Sequence, residues 1–105
     1  MIKKKKVVLL AGLSPADTGR CQGMIVDAAV HTAHDQQGAL AFIRRDPEIA
    51  VIYVDKFDKD ILQKIADSGF KGKIIPVTNS CRLMRANNAY VAPRDVPDEV
   101  SRALA

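Results

Sequence analysis

A chain of 105 residues with 48% apolar residues has room for one packed core, so the sequence predicts a single domain over residues 1–105 and no disordered linker. Its formal charge of +4 sits in the run Lys3 to Lys6: without it, 12 basic residues balance 12 acidic ones. The remaining charges are scattered, which argues against a nucleic-acid face, since such a face needs Lys and Arg clustered over several phosphates. The run itself reads as a solubilising flank ahead of a first strand.

Val7 to Ala11 (VVLLA) is a short continuous apolar run, the pattern of a parallel strand buried on both faces. It is too short for a signal-peptide core, and no segment approaches the roughly 20 apolar residues that span a bilayer, so a soluble cytoplasmic protein is expected. Ser14, Pro15 and Asp17 then make a helix start: an N-cap, a proline at the first helical position and an acid in the first turn. Cys21, Met24, Ile25 and Ala28 fall at helical spacing and predict one apolar stripe, although Gly19 and Gly23 each lower helix propensity by up to about 1 kcal/mol.

Val30 to Ala33 predicts a second strand. Asp35 can cap a second helix running to Arg45, where Asp46-Pro47 stops it. Ile49 to Val54 (IAVIYV) is the strongest strand pattern in the chain. Asp58 or Lys59 opens a third helix with Ile61, Leu62, Ile65 and Ala66 on its buried side and Gly69 as its stop. Lys73 to Thr78 predicts a fourth strand in which Pro76 costs one ladder hydrogen bond. Ser80 to Asn87 holds a turn or two of helix, Tyr90 to Ala92 a short fifth strand, and Pro97 to Ala105 a final helix. Five β–α units imply an α/β fold: a three-layer, doubly wound, five-stranded parallel sheet of flavodoxin type, in the strand order 2-1-3-4-5.

Several segments, in this order and rough spacing, resemble the receiver domains of two-component response regulators. VHTAHDQQGAL from Val30 is similar to the family's second strand and following helix start. VIYVD ends in Asp55, where a receiver carries its phosphoacceptor, and IIPVT ends in Thr78, where the family places a hydroxyl that contacts the phosphoryl group. AYVAPRDVPDEV is similar to the last strand and helix, with Tyr90 near the usual switch aromatic. The family's acidic pair after the first strand is replaced here by Ala11 and Gly12, and its lysine by Ala92 or Pro93. Mg²⁺ needs carboxylate oxygens, so Asp55 alone holds it poorly, and no metal or cofactor is expected. The segments between Asp55 and Thr78, and between Thr78 and Tyr90, are also shorter than in typical receivers. The resemblance therefore implies a degenerate receiver. Asp55 either still accepts a phosphoryl group that Thr78 senses, or simply caps a loop.

Other chemistry has less support. Gly12, Ser14 and Thr18 suit a phosphate at a helix start, but Asp17 already occupies the positive end of that dipole, and no Gly-x-Gly-x-x-Gly or Gly-Lys-Ser/Thr motif is present. His31 and His34 are three apart, a spacing that puts strand side chains on opposite faces. Cys21 belongs to an apolar stripe rather than to the loop after the first strand, and Cys81 has no acid or base motif beside it. No Ser-His-Asp arrangement is recognisable, so an enzyme is not expected.

The expected role is a non-catalytic regulatory or signalling module that acts by protein–protein contact, with another protein or as a homodimer. Arg82, Arg85, Tyr90 and Arg94 are its interface candidates, since Tyr and Arg are favoured at interfaces. The alternatives are a sensor of a small anion or phosphate ligand, in a crevice formed by Gly12, Ser14, Asp55 and Thr78, and a receiver still phosphorylated on Asp55. A basic arm at Lys3 to Lys6 that touches nucleic acid or anionic lipid is a further option.

Overall fold

A computed structural model describes residues 6–26, 28–86 and 89–105 of the chain. Lys3, Lys4 and Lys5 of the basic run, and Asn87 at the end of the expected fourth helix, lie outside them.

The strands are β1 (Lys6–Ala11), β2 (Ala28–Ala33), β3 (Ile49–Tyr53) and β4 (Lys73–Val77). The helices are α1 (Pro15–Met24), α2 (Gln36–Ile43), α3 (Ile61–Asp67), α4 (Cys81–Ala86) and α5 (Val96–Leu104). All strand pairs are parallel, in the order β2-β1-β3-β4. The continuous apolar run of β1 has its explanation in this position. It is the strand between β2 and β3, and Val8, Leu9, Leu10 and Ala11 are all buried.

The two-residue period of a strand divides those side chains between two cores. Val8 and Leu10 face Cys21 of α1, Ile25 just after that helix, and Val96 and Val100 of α5. Leu9 and Ala11 face Ala39 and Ile43 of α2 and Ile61 and Ile65 of α3. The sheet is thus covered on both sides, as its near-continuous hydrophobic strands require.

The fifth strand does not form as expected. Tyr90–Ala92 contributes a single parallel bridge, Val91 to Val77, before Pro93 opens a 3-10 turn over Pro93–Asp95. Three residues ending at a proline, which has no N–H, are too few to extend a ladder. Pro76 leaves the ladder between β3 and β4 intact, and the bond it costs lies on the outer edge. Lys73 N–H donates inward to the Glu48 carbonyl at 3.0 Å, while the Pro76 carbonyl accepts from Val91 N–H on the outer edge at 2.9 Å. The N–H that Pro76 lacks would point away from β3.

Other boundaries shift for local reasons. Ser14 caps α1 as predicted, its Oγ accepting from Asp17 N–H at 3.2 Å. The apolar stripe of α1 holds only at Cys21 and Ile25, because Met24 is 53% exposed and Ala28 already belongs to β2. That strand begins two residues before Val30, where alanines carry little strand signal but pair with Lys6 and Val7. α2 ends at Ile43 in a tightened turn, followed by Asp46 at φ 54°. At the far end, Lys6 Nζ donates to the Leu104 carbonyl at 3.3 Å, joining the start of β1 to the end of α5. No helix among the described residues is long and apolar enough to cross a membrane.

Candidate functional site

In an open parallel sheet, ligands bind where the loops leave the carboxyl ends of the strands. Four short segments meet there: Gly12–Ser14 after β1, His34 after β2, a 3-10 turn Val54–Lys56 after β3, and Thr78–Ser80 after β4. Asp55 therefore stands on a turn one residue beyond the end of the expected strand.

Gly12 is fixed by geometry. Its φ is 84°, its N–H donates to the Ala33 carbonyl at 3.0 Å, and a Cβ would lie 2.9 Å from Cε2 of Phe57. The backbone thus turns under an aromatic ring where a side chain has no space.

A crevice of about 520 Å³ opens beside it, lined by Gly12, Ser14, Asp17, His34, Lys56 and Asn79 among others. Only two of the four expected crevice residues belong to its wall, Gly12 and Ser14. Asp55 and Thr78 do not line it. The start of α1 on this wall is already engaged. Ser14 Oγ donates to Asp17 Oδ2 at 3.0 Å, and Arg20 Nη2 donates to Asp17 Oδ1 at 2.9 Å and to the Pro93 carbonyl at 3.2 Å. Arg20 thus reaches Pro93, one of the two positions that the receiver resemblance sets against the family's lysine.

Asp55 and Thr78 are brought together, in direct contact. Thr78 is fully buried, and its Oγ1 donates to Asp55 Oδ1 at 2.7 Å. Asn79 N–H donates to Asp55 Oδ2 at 3.0 Å, so each carboxylate oxygen accepts a bond from the turn after β4. The string continues: Ser80 N–H donates to Thr78 Oγ1 at 3.0 Å, and Leu83 N–H to Ser80 Oγ at 3.2 Å, in the first turn of α4. Asp55 thus ties the turn after β3 to the start of α4. At the end of β1, Ala11 is buried and carries no oxygen ligand in its side chain. Among the described residues no group of three or more His, Cys, Asp or Glu is placed to hold a metal ion.

Two residues of this cluster carry no functional expectation from the sequence: Tyr53 in the third strand, and Asn79 between the fourth strand and the helix after it. Asn79 Nδ2 donates to Tyr53 Oη at 2.8 Å. Burial raises the Tyr53 phenol above its ordinary value, and the Asp55 charge adds to the shift, against a smaller lowering from the Asn79 bond. A tyrosine closing an otherwise aliphatic strand was the available signal, because a half-buried Tyr usually finds a polar partner.

The remaining candidates separate. His31 points to the α2 side, its ring centroid 4.9 Å from that of Phe42, while His34 lines the crevice. Cys21 is buried, and burial is the main cause that raises its thiol; Cys81 is exposed. Tyr90 and Arg94 line a second groove of about 720 Å³ along β4, with Pro76, Met84 and Asp98. Arg82 and Arg85 are exposed on α4 outside that groove. No protein-family model matches the chain, and a search of curated proteins finds no relative.

Proposed function

We propose that this chain is a non-catalytic, receiver-like regulatory module, of flavodoxin-like topology with Tyr90–Ala92 in the fifth place, that works through protein contact. The observation that carries the reading is the engagement of Asp55. Both of its oxygens accept bonds from the turn after β4, and the positions that the receiver resemblance sets against the family's acidic pair hold Ala11 and Gly12. A carboxylate used in this way holds a loop; a phosphoryl acceptor needs a divalent cation or a lysine to offset the charge that develops in transfer. Tyr90 and Arg94 on the β4 groove are the residues through which a partner is recognised.

The test is an amide NMR titration with Mg²⁺ and then with beryllofluoride, which mimics a phosphoryl group. Resonances of Asp55, Thr78 and the loop after Leu10 should stay in place. Shifts there that saturate would make Asp55 a working acceptor and end this reading. A small anion in the 520 Å³ crevice is the second reading, favoured by Lys56 and His34 on its wall and opposed by the Asp17 carboxylate there. A rise in Tm with added phosphate selects it, since a ligand that binds only the native state stabilises by mass action.

A further inference from the structure

We infer that the open edge of β2 is a docking surface for a second copy of this chain, joined strand to strand about a two-fold axis. The sheet has two edges, and they are built differently. At β4 the edge is closed: Pro76 places its missing N–H outward, Val91 clasps the segment through bonds to Pro76 and Thr78, and Lys73 is charged. These are the devices by which proteins prevent strands from adding to a sheet.

None of them is present at β2. Its six residues, AAVHTA, include no proline and no Asp, Glu, Lys or Arg, and all six are paired in register with β1. The Ala33 carbonyl accepts from Gly12, so odd-numbered backbone groups face β1. The two-residue period then turns the N–H and C=O of Ala28, Val30 and Thr32 outward, where they meet no partner among the described residues. The exposed large hydrophobic residues of the described chain are Met24, 53% exposed, and Val26, 73% exposed, and both stand at the entrance to this strand.

A second copy fits this edge because the edge is complementary to itself. Antiparallel pairing matches outward groups with outward groups, which places Val30 opposite the partner's Val30 and Ala28 opposite the partner's Thr32. Each such pair exchanges two bonds, about six in all. Ala29 then faces the partner's His31, so no like charges meet across the axis. The same rotation lays the Met24–Val26 flank of each copy beside the far end of its partner's strand. The contact is isologous and closes, so it stops at a dimer. Its observations are independent of the role proposed for Asp55, so a failure here leaves that reading untouched.

The test uses the full chain. Sedimentation equilibrium should show a dimer, and hydrogen exchange should show Val30 and Thr32 amides protected at about 1 mM and released on dilution. Their neighbours Ala29 and His31, bonded to β1, should be protected at both concentrations. Thr32→Pro removes two of the inter-copy bonds while keeping the ladder to β1, and should weaken association about thirtyfold relative to Thr32→Ala. A chain that stays monomeric at about 1 mM overturns the inference. So does a dimer in which Val30 and Thr32 exchange at one rate at every concentration, a result that needs no variant to fold.

Discussion

Cutting the contact between Asp55 and Thr78 tests whether Asp55 is a structural tie. Thr78→Val keeps the shape of a fully buried side chain and deletes the hydroxyl that donates to Asp55 at 2.7 Å and accepts from Ser80 N–H at 3.0 Å. A hydrogen bond to a charged group contributes about 1.5–3 kcal/mol, but Asp55 is open to water on its other side, so the lower end applies. Adding the Ser80 amide that loses its acceptor, the expected cost is about 2 kcal/mol. Asp55→Ala deletes both accepted bonds and should cost about 1–2 kcal/mol, again reduced because water replaces part of what is lost. For a domain of this size 1 kcal/mol lowers Tm by about 4–8 °C. The double variant should be little worse than Thr78→Val alone, a coupling of about 1 kcal/mol in a double-mutant cycle read by urea denaturation. A carboxylate held instead in an unfavourable site would give the opposite sign. If Asp55→Ala stabilises the protein, or the coupling is zero, the tie is refuted.

Two further outcomes follow from the same geometry. Gly12→Ala should cost about 1–3 kcal/mol by thermal unfolding, since φ is 84° and the new Cβ meets Phe57 at 2.9 Å, whereas Gly19→Ala in α1, with nothing within 4 Å, should stabilise by about 0.5–1 kcal/mol. Equal effects at the two positions would contradict the account of Gly12. Stability should also fall at alkaline pH. Cys21 and Tyr53 are raised above ordinary values of 9.0 and 10.0, so the native state holds their protons more tightly than the unfolded state does. Their contribution is complete below those values and is lost as pH rises through the raised ones. Cys21→Ala should remove the loss that begins near pH 9 and Tyr53→Phe the part that begins near pH 10, measured as unfolding free energy against pH; unchanged slopes would count against both assignments.

The layered α/β arrangement was legible because β1 and β3 are buried on both faces and therefore read as unbroken apolar runs, and because Ser14-Pro15 and Gly69 are unambiguous ends for helices. The start of β2 was not legible. Ala28 and Ala29 have no strand preference of their own and are extended only because Lys6 and Val7 lie alongside. The fifth strand failed for a related reason, since a strand pattern of three residues cannot report whether a neighbour will pair with it. At the site, the types and order of Asp55 and Thr78 pointed to their nearness, but whether a carboxylate lies open or bonded depends on the loop after β4. Asn79 gave no sign of that in its identity. The separation of Asp55 and Thr78 from the Gly12–Ser14 crevice is a matter of side-chain direction on turns, where no periodicity applies.

The bond from Lys6 to the Leu104 carbonyl brings the two ends of the described chain to within one lysine side chain of each other. Sequence order and spatial order are therefore separable in this protein. In a variant bounded by β1 and α5, a short Gly-Ser bridge from the end of α5 to the start of β1 would let the chain be opened instead at the exposed Gly69 turn between α3 and β4. The rewired chain would make β4 its first strand and keep every parallel pairing of the sheet, with a new order of assembly and an unchanged fold.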